Sequence, residues 1–100
     1  MAESILVKNA SPKAIPVALE FVHIAWNFAD EDYVNEPGYI HGLQKMKKLI
    51  LPVCKQFVIQ DCEKIIEKLI EHKQTYYSDD TRLIFSCKYE KGNVKVVWKE

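Results

Sequence analysis

The first pattern with chemical potential in this chain is Glu20-Phe21-Val22-His23. A Glu-x-x-His on a helix projects carboxylate and imidazole from one face, the spacing used by carboxylate-bridged two-metal bundles. Such a site takes a second copy of the motif and two further inward carboxylates. Neither His41 nor His72 has a glutamate three residues before it. The pair therefore reads as a solvated stripe. The three cysteines, Cys54, Cys62 and Cys87, include no Cys-x-x-Cys pair, and their odd number argues against a disulfide framework. A thiolate nucleophile needs a basic or cationic neighbour. His41 or His72 could reach a cysteine only through the fold, and small buried hydrophobes are the favoured reading of all three.

Other catalytic and nucleotide signatures fare no better. No serine stands in a Gly-x-Ser-x-Gly elbow and no glycine-rich loop precedes a helix. With only Gly38, Gly42 and Gly92, there is little backbone to cradle a phosphate. Lys45, Lys47 and Lys48 could meet a phosphate by charge alone, although such a run is ordinarily the wet face of a helix. No catalytic residue, metal ligand or cofactor is assigned.

Two features suit an interaction surface better. One is the acidic loop Asp30-Glu31-Asp32-Tyr33, whose tyrosine and carboxylates could dock on a basic surface of another protein. The other is the outer face of a C-terminal hairpin, with Ile84, Lys88, Lys95 and Val97. Strand edges pair with other chains, and lysines there also guard against unwanted pairing.

These residues must be positioned by a small set of elements. Ile5-Leu6-Val7 is β-branched and apolar, a first strand. Ser11-Pro12 fits a helix start, but Pro16 would break a helix begun there, so the regular helix starts near Ile15 or Pro16. Val17, Phe21, Ile24 and Phe28 recur at helical spacing to about Ala29, and Glu20, His23 and Asn27 form a narrow polar stripe opposite. A stripe that narrow predicts a helix nearly surrounded by protein. A second helix is expected from about Tyr39 to Leu51, with its seam Leu43, Met46, Ile50, Val53 and Phe57 continuing through a kink at Pro52. A third runs from about Asp61 to Tyr76, and Ser78-Asp79-Asp80 turns the chain. Leu83, Phe85, Cys87 and Tyr89 then alternate with Ile84, Ser86 and Lys88, Lys91-Gly92-Asn93 turns, and Val94, Val96 and Trp98 alternate with Lys95, Val97 and Lys99. That is a β-hairpin. A lone hairpin is marginal in water. The expected fold is therefore α+β: about three helices packed on a small antiparallel sheet formed by the hairpin, with the N-terminal strand as its third member, all in one domain of 100 residues.

Composition bounds the function. Lys+Arg and Asp+Glu are 14 each, and Arg82 is the one arginine, which argues against nucleic-acid readout. Met1-Ala2-Glu3-Ser4 opens no signal peptide and no apolar run approaches a membrane span. The expectation is a cytoplasmic, non-enzymatic protein-binding module, acting as an inhibitor, immunity or antitoxin-like partner of an enzyme. An oligomeric small-ligand binder is the alternative, with Tyr33, Tyr39, Tyr76, Tyr77 and Trp98 stacking on a flat, nucleotide-like ligand. A small enzyme ranks third. Scarce arginine beside abundant lysine and isoleucine suits an AT-rich genome, bacterial or viral.

Overall fold

The short apolar run at the N-terminus becomes β1 (Glu3–Lys8), and it takes a central place in the sheet. The hairpin forms β3 (Phe85–Glu90) and β4 (Asn93–Trp98), and β2 (Val58–Ile59) completes an all-antiparallel order β2-β1-β4-β3. The computed structural model describes residues 3–30, 32–75 and 84–99. Glu31, the Ser78-Asp79-Asp80 turn and the end of the third predicted helix lie outside the described residues.

The hairpin turn is Lys91-Gly92, with φ of 52° and 83°. Positive φ at both central residues matches the twist of the flanking strands, and glycine reaches it without steric cost. β1 carries a bulge, because Ile5 opposes Lys95 and Val7 opposes Val94. Leu6 is the extra residue. The shift puts two consecutive side chains, Leu6 and Val7, into the core, both fully buried. Asp61 holds this irregular point: its carboxylate accepts the Ile5 N–H at 3.1 Å, and its own N–H donates to the Ile5 carbonyl at 2.8 Å.

Three helices follow the apolar periodicity: α1 (Ile15–Asn27), α2 (Pro37–Ile50) and α3 (Cys62–Thr75). Ser11 and the Pro12–Ala14 stretch form a short 3₁₀ turn ahead of α1, which resolves the competition between Pro12 and Pro16. α1 and α3 contact the sheet, and α2 packs on α1. The core face of the sheet presents Leu6, Val94, Val96 and Trp98. Trp98 is fully buried between Phe85 and a stacked His72, with the Lys68 ammonium 5.8 Å from its ring. This corrects the expectation that Trp98 stacks on a ligand.

Two further expectations are corrected. The α2 seam does not run through a kink: the helix ends at Ile50, turns follow, and Val53 is exposed. Pro52 has no N–H to continue the helical ladder. Ile84 is buried rather than on the hairpin's outer face, because it precedes β3 and folds into the core.

Candidate binding groove

Along α2, Gly42, Met46 and Ile50 recur every four residues and are buried. This stripe lies on α1. A Cβ on Gly42 would meet the Ile24 Cγ2 at 3.3 Å and the Phe21 ring at 3.5 Å, so glycine lets the two helices approach closely. The neighbouring stripe, Tyr39, Leu43 and Lys47, has the same spacing and lines a groove instead. With Leu51, just past the helix end, it forms one wall of an open groove of about 1080 Å³. The opposite wall is residues 55–61 and the first turn of α3.

The two ends of the groove differ. At one end, Tyr33 and Tyr39 meet edge to face at 5.6 Å, and Phe28 meets Tyr39 at 6.0 Å. A hydrogen bond joins the Tyr39 hydroxyl to the Cys62 thiol. Burial, reinforced by Cys62, pushes the Tyr39 hydroxyl up to about 12. Burial likewise pushes the Cys62 thiol up to about 11, against the hydrogen bond from Tyr39 and with help from Glu63. At neutral pH this cysteine is a thiol, the opposite of what nucleophilic chemistry needs. Cys87 is pushed further, to about 12, by burial alone.

The other end is apolar and basic. Leu51 is 54% exposed and Val58 46% exposed, with Phe57 and Ile59 partly buried between them. Lys47 and Lys55 line this end, and among the described residues neither forms an ion pair. Of the lysine run on α2, Lys45 is engaged elsewhere: it meets Glu20 at 2.5 Å and ties α2 to α1. Glu20 of the Glu-x-x-His pattern is thus an inter-helix ion-pair partner, while His23 packs edge-on against Phe85. Among the described residues no group of three His, Cys, Asp or Glu side chains is arranged to hold a metal ion.

The two predicted interaction surfaces lie apart. In the acidic loop, the Asp30 carboxylate accepts the Asp32 N–H at 2.8 Å, and Asp32 accepts the Asn35 side-chain amide. Tyr33 is half-buried against Tyr39, near Glu63 and Glu67, so the loop borders the tyrosine end of the groove. On the hairpin's outer face, Lys88 bridges Glu3 at 2.5 Å and Glu90 at 3.3 Å. Lys95 bridges the same two carboxylates at 3.5 and 3.2 Å. Hydrogen bonds from these lysines hold Glu3 and Glu90 below the usual carboxylate range. Val97 sits half-buried between Glu3 and Ser86.

Sequence reasoning missed Leu51, Lys55, Phe57 and Val58 as a surface. Their signal was an apolar series continuing past a proline that ends its helix, where no helix remained to bury it. No family model, curated protein or solved structure matches this chain.

Proposed function

We propose that this chain is a cytoplasmic, non-enzymatic protein-binding module whose binding face is the groove between α2 and residues 55–64. It acts as an inhibitor or antitoxin-like partner of another protein. The observation that carries the reading is the exposed apolar wall at Leu51 and Val58, lipped by Lys47 and Lys55. Two of the seven exposed large hydrophobic residues among those described, Leu51 and Val58, line this groove. Clustered apolar exposure of this kind, rimmed by polar groups, is the ordinary mark of a protein interface. The acidic loop at the tyrosine end extends the same face. The outer hairpin lysines are occupied by their own carboxylates and contribute less.

The test is purification of the tagged chain from its own cells, with native mass spectrometry as readout. A companion protein in fixed ratio is expected, and the double variant Leu51→Asp, Val58→Asp should lose it while Lys88→Ala keeps it. A companion retained by the double variant would remove the groove from the reading. The small-ligand reading keeps one supporting observation. The groove volume lies just beyond the roughly 300–1,000 Å³ of small-molecule sites, with aromatic rings at one end. A homo-oligomer carrying a bound small mass in the same experiment would favour it.

A further inference from the structure

The groove also limits what kind of segment can enter it. Every residue from Lys55 to Lys64 lines it. Within that stretch, the two residues of β2, Val58 and Ile59, both line the groove; successive strand side chains point to opposite faces, so the strand presents its backbone edge to it. The hydrogen bonds agree. The Gln60 N–H donates to the Leu6 carbonyl at 2.9 Å, and Val7 is paired with Ile59. That pattern makes Val7 and Ile59 a non-hydrogen-bonded pair of the antiparallel ladder. The Ile59 N–H and C=O therefore point away from β1, towards the groove. β2 is the outermost strand on this side of the sheet.

Charge selects among the segments that could pair there. Lys47 on one wall and Lys55 on the other carry no carboxylate partner among the described residues. The acidic groups at the groove differ: Asp61 is engaged by the Ile5 N–H and lies 4.0 Å from Lys64. Glu63 belongs to the opposite end, beside Cys62 and the two tyrosines. The Leu51 end is thus apolar with two unanswered cations, and the Tyr39 end is aromatic with excess negative charge.

We infer that the groove receives an extended, acidic segment of another protein, which pairs with the outer edge of β2. Its carboxylates meet Lys47 and Lys55, and its apolar side chains rest on Leu43, Leu51 and Phe57. The inference rests on the protein-binding reading above and adds the partner's chemistry and conformation. Main-chain pairing supplies affinity in this mode, and the flanking side chains set specificity and direction.

The test uses the whole chain as bait for a displayed library of random peptides of about twelve residues, long enough for a typical strand. The Leu51→Asp variant is the counter-target. Enriched peptides should be acidic with alternating apolar residues. Binding the strongest of them should slow amide exchange at Ile59 and shift the amide signals of Lys47, Lys55 and Phe57. The Lys47→Glu, Lys55→Glu double variant should bind it roughly tenfold more weakly, and added salt should weaken the wild-type complex. Basic or neutral winners overturn the inference and leave the protein-binding reading standing. So do helical peptides that leave Ile59 exchange unchanged, or self-association at β2. A library that enriches nothing over the counter-target also overturns it. If the Leu51→Asp, Val58→Asp variant then still retains its cellular companion, the groove reading falls as well.

Discussion

Two surfaces of this molecule carry lysine pairs, and they treat them in opposite ways. On the outer face of the sheet, Lys88 and Lys95 are held by Glu3 and Glu90, so four charges cancel within one small patch. In the groove, Lys47 and Lys55 flank apolar side chains and meet no carboxylate among the described residues. The first arrangement satisfies the fold and discourages edge-to-edge contact. The second leaves electrostatic attraction for something outside the chain. Both pairs look alike in the sequence, and the placement of Glu90 across the hairpin and of Glu3, far away in the chain, separates them.

The sharpest test of this comparison contrasts core with groove. Trp98→Ala, behind the charged hairpin face, should destabilise the fold by about 3–5 kcal/mol in denaturant unfolding, because a fully buried indole is replaced by a void. Leu51→Ala should stay within about 0.5 kcal/mol, since that side chain is mostly in water. A large loss at Leu51 would show that the groove is closed in solution.

Alkaline pH gives the next largest effect. Cys62, at the groove, and Cys87, on the hairpin, both ionise later in the folded chain than at their ordinary value of 9.0. The folded state therefore holds more protons than the unfolded one above that pH. The stability contributed by the neutral thiols is complete below pH 9 and declines as pH rises towards about 11 for Cys62 and about 12 for Cys87. Between pH 8.5 and 10.5 stability should fall by on the order of 1–2 kcal/mol per thiol, seen as a falling Tm in thermal unfolding. Cys62→Ser and Cys87→Ser should each flatten that slope. Equal slopes in all three proteins would contradict the burial of both sulfurs.

Asp61 belongs to the groove by position and to the sheet by function. Asp61→Ala should cost roughly 1–2 kcal/mol by leaving the Ile5 N–H without its side-chain acceptor, with far-UV dichroism unchanged. The smallest effect is expected at Lys88→Ala. Its consequence is a slight fall in Tm at low salt that vanishes at high salt, as solvent-exposed ion pairs are screened. Below the usual carboxylate range the same network is lost in the wild-type chain, because Glu3 and Glu90 are then protonated.

The elements most legible in the sequence were those with a sustained period. α1 shows its period through Val17, Phe21 and Ile24, and the hairpin alternates cleanly from Phe85 to Trp98. β2 was invisible, because two residues carry no period, and Val58-Ile59 becomes a strand only by pairing with Val7 and Lys8. The bulge at Leu6 was equally hidden: three apolar residues in a row do not say that two face one side. The groove escaped for a related reason. Its walls come from α2 and from the segment beyond Pro52, and helical spacing extrapolated past the proline placed Val53 and Phe57 in a seam. The acidic loop was recognised as a feature, but the folding of Tyr33 onto Tyr39 depends on a contact no local pattern encodes.

The place of β1 in the sheet has a consequence for how the chain comes into being. Its hydrogen-bonding neighbours are β2 and β4, the latter some ninety residues later. During synthesis, β1 emerges before both of its partners, and the longer one, β4, follows only after α1, α2 and α3. Until then β2 can cover only the Val7–Lys8 end of β1, and the edge that β4 pairs stays open. Docking of the hairpin on β1 is a pairing of long sequence separation, the kind of contact whose loop-closure cost slows folding.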